Sequence, residues 1–298
     1  MTGIRILKEK VASGVMFILT LITMLLVVVM GIGLFIKSAP VFESYSLPEL
    51  LFSSSWKPVK GEFGFFPFIM GTLWVTAFAV IIAVPVSLLT AIYLTEYAKP
   101  NVRKYVFPAL DILAGLPSVI YGVWGSLLIV PLIAEKLAPH FVEFSTGYTV
   151  LAGAIVLGVM ILPLLVSLFI ELFTSAPEEL REASISLGAT KWQTTKCVVL
   201  RKTLPGIIAA IVLAVSRAFG ETIAVLMVCG NLPEVPHSIF NACYPLPALI
   251  ANNYGDMLSL PLYDAALMFA ALILFVVVLL FNLVSRIVLY RMERNYGL

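Results

Sequence analysis

Charge is scarce in this sequence. Of 298 residues, 19 are Lys or Arg and 17 are Asp or Glu, together 12%, whereas 61% are hydrophobic. A soluble domain carries about a quarter charged residues. The shortfall excludes an ordinary cytosolic enzyme, a disordered chain and a nucleic-acid binder. The net charge of +2 is too small to draw a polyanionic partner. Cysteine and histidine are scarce as well. Cys197, Cys229 and Cys243 form no CxxC pair and no disulfide framework. His140 and His237 each stand alone, so neither a zinc site nor a Cys/His dyad is expected. No GxxxxGK[ST] occurs, and the chain therefore has no P-loop for ATP.

Long apolar runs fill the space that charge leaves. A membrane-spanning helix needs about 20 mostly apolar residues. Six stretches qualify: 11–36, 66–94, 105–133, 148–173, 206–230 and 262–290. The first is too long for a signal-peptide core and reads as a retained helix. With the N-terminus placed in the cytoplasm, 14 of the Lys and Arg residues flank the inner ends and 4 (Lys37, Lys57, Lys60 and Lys136) the outer. The loop 231–261 holds no Lys or Arg, as an outer loop should. Both termini are then cytoplasmic. The expected organisation is an N-terminal helix and outer loop over 1–65, a transmembrane core over 66–290 and a cytoplasmic tail over 291–298. The outer loops 37–65 and 231–261 read as partly structured caps.

The third stretch contains Gly115-Leu116-Pro117-Ser118, with Gly122 and Gly125 beyond. Proline removes a backbone donor and glycine permits close approach. Two readings fit: a packing kink, or a break lining a wet cavity in the bundle interior. Pro85 and Pro163 mark bends in the second and fourth stretches.

The inner loop 174–205 is longer than a turn requires. It reads as two short helices joined at a glycine. Ser175-Ala176-Pro177-Glu178 has the spacing of a capping box, and Thr190-Lys191-Trp192-Gln193 that of a second. Gly188 fits the left-handed position that ends a helix. The acidic residues Glu178, Glu179 and Glu182 argue against an anionic leaflet as the resting place of this loop. A capped, exposed helix suits a groove in another protein.

This loop resembles a known family. Glu182-Ala183-Ser184-Ile185-Ser186-Leu187-Gly188 is similar to the EAA-x-x-x-G loop of ABC importer permeases, with Ser184 at the second Ala. Arg201 stands where the family usually has a proline after I-x-L. The resemblance narrows with Pro67-Phe68-Ile69-Met70-Gly71-Thr72-Leu73, with Leu113–Gly122, and with Ser216-Arg217-Ala218-Phe219-Gly220-Glu221-Thr222. Together these resemble the C-type permease subunit of Pst-type phosphate importers, from about residue 62 to the C-terminus.

The resemblance implies an all-α polytopic membrane protein of six transmembrane helices, with the type I ABC importer permease fold and a cytoplasmic coupling helix. It implies a transport subunit rather than an enzyme, with ATP hydrolysed on a partner chain and no cofactor. Its partners would be a paralogous permease in a heterodimer, two ATPase subunits and an extracytoplasmic phosphate-binding protein, in a lipid bilayer and without nucleic acid. Glu182, Ala183 and Gly188 would couple to the ATPase.

Two ionisable residues fall within the fifth stretch, Arg217 and Glu221, spaced i, i+4 on one helix face. One reading is a structural ion pair. The other is a substrate-pathway site, since guanidinium offers paired donors to an oxyanion and the carboxylate keeps binding weak. Glu96 and Asp111 read as interfacial. Residue chemistry does not separate phosphate from sulfate, molybdate or a phosphonate. An ion-coupled secondary transporter would explain buried charge but not the EAA-like loop. An intramembrane enzyme would need a nucleophile–base pair or clustered carboxylates, and the spans offer neither.

Overall fold

The computed structural model describes residues 2–255 and 261–296, and side chains over 9–255, 262–287 and 290–291. The loop 231–261 and the tail 291–298 therefore fall partly outside the described residues, as do the side chains of Arg5, Lys8 and Arg294.

Thirteen α-helices carry the described chain. The first, α1 (Thr2–Ser44), runs into a cap made of α2 (Leu47–Phe52) and a two-stranded hairpin, β1 (Trp56–Lys57) and β2 (Glu62–Phe63). Its register pairs Trp56 with Phe63 and Lys57 with Glu62. Then come α3 (Phe66–Ile92), α4 (Pro100–Gly115), α5 (Ser118–Trp124), the single turn α6 (Val130–Leu132) and α7 (Val150–Thr174). The inner loop supplies α8 (Glu178–Ser186) and α9 (Lys191–Thr194). The chain continues through α10 (Leu200–Phe219), α11 (Ile223–Leu226), α12 (Leu246–Asn253) and α13 (Pro261–Tyr296). π and 3-10 turns join α5 through α6 to His140, and a π turn joins α9 to α10.

Among the described residues six helical segments are long and apolar enough to cross a membrane: Glu9–Ser44, Phe66–Tyr97, Ser118–His140, Val150–Thr174, Lys191–Phe219 and Leu262–Ile287. Four agree with the sequence reading. The third does not start at 105, because the chain breaks. Leu116 is extended (ψ 133°), the conformation that a following proline imposes. Pro100–Gly115 is thus a helix of its own, and the crossing segment begins at Ser118. The fifth does not run 206–230; it starts at Lys191 and stops at Phe219, where Gly220 takes the C-cap. Helices α3 and α7 continue through Pro85 and Pro163.

The core lies along α3 and α7, whose contact is the most extensive in the molecule, with α10 beside them. Phe169, Phe173, Ile161, Leu165 and Leu157 of α7 are buried there. A second cluster caps the end of α3 that lies away from the inner loop. It gathers Trp56, Phe63, Phe65, Phe68, Tyr244 and Tyr263, with Trp56 edge-on to Phe65 and Phe68 at 5.4 and 4.8 Å. The outer loops therefore do fold into caps. By contrast, α1 is exposed along its apolar length and lies mainly against α13.

Candidate functional site

Two regions carry polar side chains that the core does not explain. The first is the junction of two interrupted helices. The last turn of α10 holds Arg217, and tightened bonds from Gly220 N to Arg217 O (3.2 Å) and Glu221 N to Ala218 O (3.2 Å) close it. Glu221 therefore lies past the helix end. Its Oε1 accepts from Ala224 N at 3.3 Å, which caps α11 instead of pairing with Arg217. The expected i, i+4 face and structural ion pair are not formed. The described ion pairs are Lys57–Glu62 and Arg181–Glu96. The reason is local: the sequence spacing assumes an unbroken helix, and the helix ends between the two residues.

Helix α11 packs directly on α5. Gly122 makes this possible, since a Cβ there would meet Met227 Sδ at 2.7 Å and Ala224 Cα at 3.2 Å. The break at Leu116–Pro117 is thereby brought near the break at Gly220. Tyr121 is buried, donates to Leu113 O across the first break at 2.7 Å, and lies within electrostatic reach of Arg217. Arg217 is exposed, as are Gly115 and Pro117. Glu221 shares a small crevice with Thr72 and Thr76 of α3. On the other side of α10, Asn282 of α13 donates to Ser216 Oγ at 3.0 Å. Tyr121 and Asn282 escape a sequence reading. Asn282 leaves one weak signal: it is the amide that interrupts the apolar run 265–284.

The second region is the inner loop. Helix α8 spans Glu178–Ser186, and Glu182 and Ala183 lie on it. Its first expected capping box is absent. Ser175 closes α7 instead, donating to Leu172 O at 2.8 Å, and Pro177 stands at the N-cap without a side-chain bond. The serine meets free carbonyls of the helix before it, and these compete for its hydroxyl. The second box forms: Thr190 Oγ1 accepts from Gln193 N at 3.3 Å, and Gln193 Oε1 from Thr190 N at 2.8 Å. Gly188 has φ +84° and nothing within 4 Å of where a Cβ would be. No residue of α8 is buried, and Leu187, just past it, is 90% exposed. Ile185 and Trp192 are also exposed. Apolar surface of this kind, rimmed by polar residues, marks a protein-contact site.

Glu96, read from the sequence as interfacial, pairs with Arg181 at 3.1 Å, with 10% of its side chain exposed. The residues lie 85 apart in sequence, so no local spacing signals the pair.

Residues 83–296 match the model of the family described as binding-protein-dependent transport system inner membrane component. The chain is 39% identical over 240 residues to the probable ABC transporter permease protein YqgH of Bacillus subtilis, covering 80% of this chain and 76% of that protein. It is 34% identical over 281 residues to the phosphate transport system permease protein PstC of Mesorhizobium japonicum, covering 90% and 85%. A probable phosphate transport system permease protein PstC of Methanocaldococcus jannaschii is 33% identical over 88% of this chain and 87% of its own length. Among solved structures, a chain of the MetNI methionine ABC transporter superposes with a TM-score of 0.57 at 16% identity, covering 80% of this chain and 99% of that one. A chain of a bacterial alginate ABC transporter gives 0.56 at 17%, covering 78% and 79%. The fold is that of a type I ABC importer permease.

Proposed function

Because this chain belongs to the family of binding-protein-dependent transport system inner membrane components, we propose that it is the permease subunit of an ATP-driven importer of inorganic phosphate and forms half of the translocation pathway. It is a transport component, not an enzyme. One observation carries the site: on the exposed surface of the bundle an arginine stands at one helix break and within electrostatic reach of the tyrosine that bridges the other. Irregular backbone at membrane depth is tolerated only where protein covers it or a water-filled cavity meets it. An arginine in a span is likewise driven toward the bundle interior or water. A paralogous permease covers this face, and the pathway runs between the two chains.

Arg217 offers a tetrahedral oxyanion two parallel N–H donors. Glu221 lies beyond it as a counter-charge that keeps the anion from staying bound, as conduction requires. Relatives named as phosphate permeases at 33–34% identity support phosphate as the cargo. On the inner face, an ATPase subunit docks on the helix that carries Glu182 and Ala183 and on the turn at Gly188 that follows it, with Leu187, Ile185 and Trp192 as apolar contacts. Two ATPase subunits hydrolyse ATP for the assembly. An extracytoplasmic binding protein delivers phosphate to the outer caps. Both termini are cytoplasmic, the membrane is the cell's inner membrane, and residues 66–290 act as the transport core, with 1–65 added before it.

The same donors fit sulfate, molybdate or a phosphonate, so the cargo needs a direct test. The complex is reconstituted in liposomes with its ATPase and binding protein, and uptake of labelled phosphate is measured against excess unlabelled sulfate. Uptake that needs ATP and ignores sulfate is the expected result. Uptake abolished by sulfate overturns the phosphate assignment, and uptake driven by an ion gradient without ATP overturns the importer class.

A further inference from the structure

The inner end of α3 does not finish as an α-helix. Residues Tyr93–Tyr97 form a π turn, a form found frequently at functional sites. Three consecutive residues of this turn are each held by a cation from a different element. Arg103 of α4 donates to Thr95 O. Arg181 of α8 donates to Glu96 Oε1 at 3.1 Å. Lys191, the first residue of α9, places its ammonium 5.2 Å from the centroid of the Tyr97 ring.

Arg181 does more than pair with Glu96. Its guanidinium also donates to Phe173 O at 2.6 Å and Ala176 O at 2.8 Å. One planar group thus ties the end of α7, the start of the inner loop and the end of α3 to α8. The tie carries weight because packing does not: no residue of α8 is buried. A cavity of about 560 Å³, lined by Thr95, Glu96, Arg103, Arg181 and Lys191 among others, separates α8 from the bundle. Between α8 and the end of α3, motion therefore passes through polar links and not through a filled core, while α8 also contacts the π turn 195–199 that leads into α10.

The turn is also joined to the first region. Arg103 lies in the first turn of α4, and the other end of that helix offers Leu113 O to Tyr121, the neighbour of Arg217. Rigid secondary elements and charge pairs with two alternative arrangements are the physical means by which distant sites couple.

We infer that the π turn 93–97 is the junction that gears the docking helix to the transport pathway, and that Arg181 and Glu96 are its positioning pair. Displacement of α8 pulls Glu96 through Arg181, shifts the end of α3, and carries α4 with it through Arg103 and Thr95. The inference rests on the importer reading above.

The test uses the assembled complex in liposomes and two variants. Glu96→Gln keeps shape and removes the charge; Glu96→Asp keeps the charge on a shorter arm. Two quantities are read: ATP hydrolysed per phosphate taken up, and stimulation of hydrolysis by the binding protein. Glu96→Gln is expected to assemble, keep its unstimulated hydrolysis, lose most of the stimulation and raise the ATP cost per phosphate 10-fold or more. Glu96→Asp is expected to fall between it and wild type. Wild-type values of both quantities in Glu96→Gln overturn the inference. So does a fall of uptake and hydrolysis in step with the yield of complex, or failure of both variants to assemble, since either makes the pair a folding element only. If the wild-type complex responds to the binding protein but takes up no phosphate, the cargo assignment fails, and the stimulation still decides the junction.

Discussion

Arg217 has no carboxylate partner among the described residues, and this changes what its loss should do. Removing one partner of a buried ion pair costs about 3–5 kcal/mol because the other charge is stranded. Arg217 is exposed and Glu221 bonds elsewhere, so Arg217→Gln should leave the yield of assembled complex unchanged. Uptake should fall about 10- to 100-fold, the worth of a charge-assisted hydrogen bond to the anion. The double variant Arg217→Gln with Glu221→Gln should stay as inactive as the single one. Recovery of uptake in the double variant would restore the structural ion pair and remove Arg217 from the pathway. Gly188 makes a second case at this scale. Its surroundings are open and its φ is +84°, so Gly188→Val is opposed by backbone strain alone, about 1 kcal/mol. The variant should insert and fold, yet copurify with less ATPase, because the residues that follow the docking helix leave at a different angle. Copurification equal to wild type would mean that this turn does not set the docking geometry. Local chemistry explains which residues were legible. Gly188, Thr190 and Gln193 act within four residues of themselves, and their roles could be read directly. Ser175 sits between two helices with equal local claims on its hydroxyl, and the preceding one wins.

At the scale of elements, apolar runs located the spans but not their interruptions. An oily segment reads alike whether it is one helix or two. Thus α10 ends at Phe219 inside a run that continues to Val228, with Gly220 as its mark. The break at Pro117 was visible because proline constrains its neighbour; that Pro100–Gly115 is a separate helix was not. Arg181 and Glu96 were unreadable as a pair for a different reason: only the return of the inner loop to the end of α3 brings them together. Where the two interruptions meet, Gly122 sets the spacing. Gly122→Val would drive a branched side chain into Met227 and the backbone of Ala224. The thioether can swing away, whereas the backbone at Ala224 cannot. Overpacking of this kind costs about 1–3 kcal/mol, so the melting temperature of the complex should drop by several degrees and uptake should fall with it. An unchanged melting temperature would show that α5 and α11 separate at no cost, and that their contact does not hold the site together.

For the whole molecule, the charge count and the apolar runs gave the architecture, because the bilayer imposes both. The count also predicts an orientation that can be measured. Cys229 and Cys243 are buried and Cys197 is exposed. A Cys197→Ser background therefore leaves no accessible thiol among the described residues. Into it, in cells that make this chain without an ATPase partner, Leu187→Cys should react with a membrane-impermeant maleimide only after the cells are opened, and His237→Cys in intact cells. Both positions are exposed, so reversed labelling would invert the topology rather than report burial.

The lone position of α1 bears on how the protein is made. Its chief contact is α13, which follows every other described helix in the chain. Roughly 220 residues separate the end of one from the start of the other, which is about 10–40 s of synthesis at 5–20 residues per second. Throughout that interval α1 stands in lipid without its mate, while α3 and α7, much nearer in the chain, are free to pair. The molecule must therefore mature from its middle outward. Helix α1 is among the last of the described helices to dock, and a nascent chain stalled before α13 would hold a formed core beside an undocked α1.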